Sequence, residues 1–278
     1  MAPEPLHRCR VLASPWPGAY ATDIASSRHY ARHWHATFGL GVMDAGAHRS
    51  VSAQGAVEAF AGDLVTTNPG EVHDGRPFGG AARRWRTVYL EPEIVAAIAA
   101  EDGHPAPGQV EFECAAFRDP PLRQAVLGLL LALDTWTRQR GPAAALECEE
   151  ALVNACSSML RRHAGRPRAA SDGSQPMPRV LERLAEDALP APALAELASL
   201  AGLGRFQLLR RFRQAHGITP HAWWLQQRAE RARTLIARGL PVAEAAAATG
   251  FADQSHLHRV FTARFGFTPG AWRRAAAQ

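Results

Sequence analysis

Two stretches near the end of the chain, 194–224 and 242–272, repeat one order of apolar and polar positions. Eight residues of the first stretch recur as the same residue type 49 positions later: Leu208, Arg210, Phe212, Gly217, Thr219, Pro220, Ala222 and Trp223. Four earlier residues recur 48 positions later: Ala195, Glu196, Ala198 and Gly202. The one-residue slip falls in a turn. Two copies predict a duplicated supersecondary unit rather than a solenoid, which needs about three repeats.

Each unit reads as a helix, a Gly turn and an Arg-bearing helix, the arrangement that places a helix in a DNA groove. Helical periodicity predicts recognition helices over 204–215 and 254–265. In the first, the predicted buried face carries Leu208, Phe212 and Ala215, and the opposite face Phe206, Arg210 and Arg213. In the second, the buried face carries Leu257, Val260, Phe261 and Phe265, and the opposite face Ser255, Arg259 and Thr262.

Local signals set the ends of these helices. Gly202 and Gly250 stand where the tight turn needs a positive φ. Thr219 and Thr268, each followed by Pro, read as N-caps. One continuous helix over 221–238, ended by a glycine, is predicted to space the units for successive major grooves about 34 Å apart.

The first 110 residues show a different texture. Short apolar segments at 32–38, 40–44, 56–60, 63–67 and 85–90 alternate with Gly- and Pro-rich turns, which predicts an all-β barrel or sandwich. The predicted fold class is therefore α+β: a cupin-like β-barrel with a helical hairpin, then an all-α domain with two helix-turn-helix units.

Between these halves, 121–138 and 143–163 carry Leu, Ala and Val at helical spacing and predict two antiparallel helices. Their apolar faces fit either a dimer seam or packing against their own barrel. We expect an effector-binding and dimerisation domain at 1–163, a Gly/Pro/Ser linker at 164–177, and a DNA-binding domain at 178–278. The latter is predicted to open with a helix from after Pro178 to about Ala188.

Charge follows the same division. Residues 179–278 hold 14 Arg against 7 acidic residues, whereas 1–178 hold 17 Arg against 19, and the chain has no Lys. The basic excess therefore belongs to the repeat, as expected of a phosphate-binding domain. The four cysteines form no Cys-x-x-Cys pair, which indicates incidental thiols. We find neither a signal peptide nor an apolar run of about 18 residues, so we expect a cytoplasmic protein without a membrane partner.

The stretch AAAATGFADQSHLHRVFTARFGFTPGAWRR resembles the signature of the arabinose-regulator (AraC/XylS-type) family of bacterial transcription factors. LAELASLAGLGRFQLLRRFRQAHGITPHAW resembles the family's first helix-turn-helix, with Gly204 where Ser is common, so we expect weaker capping there. The resemblance implies that DNA contacts map onto Arg205, Phe206, Leu209, Arg210, Gln254, Ser255, His258 and Arg259. The exposed faces add Arg213 and Thr262. For Phe206 and Leu209, packing in a helix–helix core remains an equal alternative.

ARHWHATFGLGVMDAG and GDLVTTNPGEVHDGRP resemble the small cupin-like barrel that many members carry before the DNA domain. The resemblance implies a barrel that binds a small effector and helices that form a homodimer. RNA polymerase is a further candidate partner. The expectation is an activator, although nothing in the sequence separates activator from repressor.

Three histidines are the chief candidates in the barrel. His33 and His35 would share one side of a strand and face the interior with His73. Three imidazoles suit a first-row metal, but no Glu follows His35 at the spacing of metal-binding cupins, so we predict no metal. The alternatives are effector binding and structural histidines. We add Glu71 and Trp85 as effector contacts. The alternative for Glu71 is a solvated loop carboxylate, and Trp85, like Trp34, Tyr20 and Tyr89, lines either the pocket or the core.

No nucleophile–base constellation or phosphate-binding Gly loop is present, so we predict no catalytic residues, no cofactor and no enzyme. The sequence therefore predicts a DNA-binding transcriptional regulator controlled by a small effector. Three rivals remain: a constitutive regulator whose barrel only dimerises, a metal-dependent cupin enzyme fused to a DNA-binding domain, and an architectural DNA binder with little sequence preference.

Overall fold

The computed structural model describes residues 6–52, 55–104, 106–165, 177–186 and 191–276. Within them the N-terminal half is antiparallel β-structure. Its strands are β1 His7–Leu12, β2 Ala19–Ser26, β3 Tyr30–His33, β4 Phe38–Ala45, β5 Ala47–Ser52, β6 Gly55–Phe60, β7 Leu64–Thr67, β8 His73–Pro77, β9 Arg83–Leu90, β10 Glu111–Phe112, β11 Ala116–Phe117 and β12 Ala164–Gly165.

The helices are α1 Pro92–Glu101, α2 Pro120–Arg138, α3 Pro142–His163, α4 Met177–Ala185, α5 Leu194–Leu200, α6 Arg205–His216, α7 Pro220–Ala237, α8 Val242–Ala248, α9 Gln254–Phe265 and α10 Pro269–Ala276. The α+β architecture predicted from the sequence is confirmed. No helix in the described ranges is long and apolar enough to cross a membrane.

The larger sheet has the order β1-β2-β9-β4-β7-β11, and a four-stranded sheet has the order β3-β8-β5-β6. The two sheets face each other, since residues of both line one cavity. They are separate sheets, so the predicted barrel is a cupin-like pair of facing sheets rather than a closed cylinder. A two-residue pairing of β10 with β12 lies beside them.

The predicted strand at 32–38 is wrong in its second half. β3 ends at His33, and the backbone then leaves the sheet. The carbonyl of His35 accepts a hydrogen bond from the Gly70 amide at 2.8 Å. The amide of Ala36 donates to Glu230 of α7 at 3.2 Å. Since a loop and a helix take these backbone groups, no ladder forms here.

The predicted helices at 121–138 and 143–163 are confirmed as α2 and α3. Their apolar faces pack on the larger sheet and complete one core with Leu40, Val42 and Leu64, which favours the packing alternative. Three large apolar side chains still point outward: Leu131 is 60%, Leu146 55% and Val153 41% exposed.

The helix-turn-helix half follows its local signals. Gly202 and Gly250 have φ of 62° and 66°. Thr219 and Thr268 accept from the amides three residues on, both at 3.1 Å. Two details are corrected: Ala215 is exposed, and α4 begins at Met177. Of the predicted linker, residues 166–176 lie outside the described residues, while Ala164 and Gly165 form β12.

Candidate functional site

Two recognition helices present polar faces to solvent. On α6, Arg205, Phe206, Arg210 and Arg213 are exposed, and Phe206 is 88% exposed. Leu208 and Phe212 of the same helix are fully buried, as predicted. Leu209 is half-buried, between the two alternatives stated for it. An exposed Phe on an otherwise polar helix face offers an apolar contact for a thymine methyl.

On α9, the outer face of the first two turns is exposed to solvent, whereas that of the last turn is partly covered. Gln254, Ser255, His258 and Arg259 are exposed. Thr262 is half-buried and its Oγ1 is enclosed, so the predicted exposed position is wrong for this residue. The cause is tertiary: the end of α9 lies against the N-terminal half.

The N-termini of the two helices are capped differently. Asp253 accepts from the amide of His256 at 2.6 Å and closes the first turn of α9. Gly204 has no side chain to cap α6, as expected, but Gln207 accepts from the Gly204 amide at 3.2 Å. Within the described ranges, Arg205, Arg210, Arg213 and Arg259 form no ion pair. Their charges are therefore available to phosphates or to guanine edges.

A cavity of about 120 Å³ lies between the facing sheets. An apolar cavity of similar size holds one benzene. All five residues predicted to bind an effector line it: His33, His35, Glu71, His73 and Trp85. Their role in effector binding stays a prediction. Tyr89 also lines the cavity, whereas Tyr20 belongs to the core beneath α10 and Trp34 does not reach the cavity.

The three histidines meet although His35 is not in a strand. One ring nitrogen from each of His33, His35 and His73 lies within 4.8 Å of the others. His33 donates Nδ1–H to the Ala31 carbonyl at 2.8 Å, and His73 donates to the Glu71 carbonyl at 2.9 Å. These bonds place the proton on Nδ1 of both rings and leave each Nε2 with a lone pair. By donor type the cluster suits a first-row transition metal.

Burial sets the charge of this cluster. It lowers the pKa of His33 and of His35 well below the ordinary value, and the neighbouring imidazoles act in the same direction. Burial also lowers the pKa of His73, against the opposing Glu71 carbonyl and carboxylate. The three rings are therefore neutral at pH 7 and offer acceptors rather than positive charge.

Many residues of the cavity wall were not predicted from the sequence, among them His48, Arg83, Arg264 and Phe265. Arg83 on β9 is 1% exposed, and Arg264 and Phe265 come from the end of α9. The rings of His35 and Phe265 have centroids 6.0 Å apart. A recognition helix therefore forms part of the cavity wall. No local signal indicates this, since Phe265 reads only as an apolar position of its own helix.

The segment from β3 to Trp34 joins the cavity to both recognition helices. Arg32 donates from Nη1 to the Gly217 carbonyl, just after α6, at 3.2 Å. The carbonyl of Arg32 accepts from Arg264 of α9 at 2.8 Å. Trp34 packs on Trp223 of α7 with ring centroids 5.0 Å apart. Thus residues 32 and 34 contact the helical half while residues 33 and 35 line the cavity.

A buried ion pair within α7 lies where the helical half contacts the N-terminal half. Glu230 and Arg233 of α7 are 6% and 4% exposed, and Arg233 Nε donates to Glu230 at 2.9 Å. The Arg233 guanidinium also lies 5.5 Å from the ring centroids of Tyr20 and Trp272. Despite its burial, the Glu230 carboxylate raises the pKa of Arg233, so the arginine stays charged.

Comparisons with known proteins agree with this division. A family model described as AraC-like ligand binding domain matches residues 19–155, and one described as helix-turn-helix domain matches 197–275. The HTH-type transcriptional regulator YbfI of Bacillus subtilis (strain 168) is 26% identical over 230 residues, 82% of this chain and 81% of that protein.

Other likenesses are shorter or are limited to the fold. The transcriptional activator NphR of Rhodococcus is 36% identical over 101 residues, 36% of this chain and 29% of that protein. The crystal structure of ToxT from Vibrio cholerae aligns over 97% of both chains with a TM-score of 0.51 and 9% identity, a likeness of fold alone. ToxT has also been solved bound to a naphthalenyl butenoic acid, with a TM-score of 0.51 and 10% identity.

Proposed function

Because this chain belongs to the AraC family of helix-turn-helix transcriptional regulators, we propose that it is a cytoplasmic, sequence-specific regulator whose DNA binding is controlled by a small molecule in the cavity. The observation that carries the proposal is the position of the segment from β3 to Trp34. The His33 side chain lines the cavity, whereas Arg32 binds Gly217 just after α6 and, through its carbonyl, Arg264 of α9, and Trp34 packs on α7.

The control follows from linkage. An effector shifts an equilibrium only if it binds one arrangement of the protein more tightly than another. A ligand that contacts His33 or His35 lies next to Arg32, which binds α9, and next to Phe265 of α9 itself. The position of α9 and the affinity of the cavity for the ligand are therefore coupled. A barrel that served only as a scaffold would not need a recognition helix in its cavity wall.

The first experiment is selection of bound sites from random duplex DNA, with and without metabolite extract. We expect a motif of two blocks about 10 bp apart, one for each helix-turn-helix unit. Nearly equal affinity for selected and random DNA would identify an architectural binder instead. Identical selection with and without extract would favour a constitutive regulator. Stoichiometric transition metal in the purified protein would be required for the cupin-enzyme alternative.

Replacing Arg259 with alanine is expected to weaken binding to the selected site by about 1–3 kcal/mol if the guanidinium reads a base. Titration of fluorescent duplexes measures the loss on selected and random DNA. Equal losses on both would assign Arg259 to phosphate. Arg138→Ala, an exposed arginine on α2, is the control and should change neither affinity. Unchanged binding of the Arg259 variant on both duplexes contradicts the reading face.

We also propose that two chains pair through α2 and α3, whose outward side carries Leu131, Leu146 and Val153. The last two are seven residues apart and so share one helix face. Leu146→Glu is expected to weaken dimerisation at least tenfold, which corresponds to about 1.4 kcal/mol. Sedimentation equilibrium measures the change, with Leu200→Glu on α5 as a comparably exposed control. A dimer that survives Leu146→Glu undiminished places the seam elsewhere.

A further inference from the structure

Arg83 is a buried cation without a counter-ion. It is 1% exposed, and none of the ion pairs among the described residues includes it. Its Nε donates to His48 Nδ1 at 2.8 Å, and its Nη1 donates to the carbonyls of Ser26 and Arg28 at 3.3 and 3.1 Å. Its Nη2 has no partner. Burying a charge without an opposite charge is unfavourable, so a fold that keeps one in a cavity wall calls for an anion there.

The surroundings keep Arg83 charged, and β8 places no side chain against its Nη2. Burial lowers the pKa of Arg83 to about 10, which still leaves the guanidinium protonated at pH 7. Its guanidinium lies 4.7 Å from the Trp85 ring centroid. Gly75 of the opposite sheet has no side chain, and a Cβ there would lie 3.5 Å from Nη2 and 2.7 Å from His48 Cε1. A side chain at position 75 would therefore contact Nη2, and the glycine leaves this atom without one from β8.

Two carboxylates line the same cavity but are engaged elsewhere. Asp74 accepts from the Val51 amide at 2.8 Å, and Glu71 accepts from the Asn68 amide at 3.1 Å. Neither forms an ion pair with Arg83. Since neither carboxylate pairs with it, the Arg83 guanidinium is available to an anionic ligand.

A second observation points to a ligand independently. Two further buried polar atoms without a hydrogen-bond partner line this cavity, His35 Nδ1 and Thr67 Oγ1. An enclosed polar atom without a partner is rare in native structures and calls for a bound molecule or water. Apolar and aromatic side chains stand beside these polar groups in the wall, among them Ile24, Met43 and Tyr89. The cavity therefore fits a compact carbon body with an anionic group and a second polar group.

We propose that the effector is a small organic carboxylate whose anionic group pairs with Arg83 and whose body lies against Trp85. A carboxylate matches the planar fork of Arg better than a spherical anion does. The apolar side chains of the wall, such as Ile24 and Met43, favour a ligand with a carbon body over inorganic phosphate. This proposal deepens the proposed function, because it names the chemical class of the effector at the same cavity.

The test uses the full chain without DNA and three acids with their primary amides: benzoate, cyclohexanecarboxylate and pentanoate. At least one acid is expected to raise the melting temperature in a dose-dependent way, by mass action, while its amide does not. Calorimetry of that acid should show affinity at least about tenfold weaker for Arg83→Met. Arg84→Met is the matched control, since this neighbour on β9 pairs with Asp23 outside the cavity and its variant should keep wild-type affinity.

Several results would overturn the proposal. The first is that none of the acids binds better than its amide. The second is that inorganic phosphate raises the melting temperature as much as the acid does. The third is that Arg83→Met binds the acid as tightly as the unaltered chain. The acid–amide comparison is made on the unaltered chain, so it holds even if Arg83→Met folds poorly. Because DNA is absent, a negative result leaves the DNA-binding proposal standing, and a failed site selection leaves the acid-binding result standing.

Discussion

Glu230→Ala is expected to lower the free energy of unfolding by about 3–5 kcal/mol, the usual cost of removing one partner from a buried ion pair. Arg233 would keep its charge at 4% exposure with only Glu91 nearby, at 3.6 Å. The amide of Ala36 would also lose its acceptor. Equilibrium urea unfolding measures the change. Glu58→Ala, whose pairing with Arg49 is exposed, is the control and should stay within about 0.5 kcal/mol.

The double variant Glu230→Leu with Arg233→Met separates the charge from the packing. Replacing a buried ion pair by apolar side chains of similar size is often neutral or stabilising. We therefore expect the double variant to recover most of the loss. A loss as small for Glu230→Ala as for the Glu58 control would mean that leaving Arg233 without Glu230 does not destabilise the fold. A double variant no better than Glu230→Ala would assign the loss to shape rather than to unpaired charge.

The helix-turn-helix units could be predicted because their signals are local. Thr219 caps its own helix, Gly202 and Gly250 take the positive φ their turns need, and Leu208 follows helical periodicity. Each of these features depends on a few residues that are neighbours in the sequence. Thr262 is an exception, because the end of α9 contacts β3. No residue near Thr262 in the sequence indicates that contact.

The cavity could be predicted only in part. His33, His35 and His73 attract notice by residue type, yet the reason given for their meeting, one continuous strand, is wrong. They meet because the backbone bonds of His35 and Ala36 go to a loop and to α7. Arg83 reads as one arginine in a strand with two others, at 84 and 86, both of which pair with aspartates. Its lack of a partner is a property of the assembled fold, as is the arrival of Phe265 from far along the chain.

Phe261→Ala and Phe206→Ala compare the buried and exposed faces of the two recognition helices. Phe261 is fully buried, with Phe265 and Phe267 at ring-centroid distances of 4.5 and 5.7 Å. Its truncation leaves a cavity in the core of the second unit, so we expect a loss of about 3–5 kcal/mol in urea unfolding. Phe206 occupies the exposed face of α6, and its truncation should change stability by no more than about 0.5 kcal/mol.

For DNA binding we expect the reverse order, with the larger direct effect from Phe206→Ala. At a temperature where both variants are folded, Phe206→Ala is expected to lose affinity for the selected site because an apolar contact to a base is gone. Phe261→Ala should lose affinity only in proportion to its unfolded fraction, because its side chain is not on the reading face. Titrations at two urea concentrations in the native baseline distinguish these causes. A stability loss at Phe206 as large as that at Phe261 would show that the exposed face of α6 is covered by protein in solution, and the assignment of that face to DNA would then be wrong.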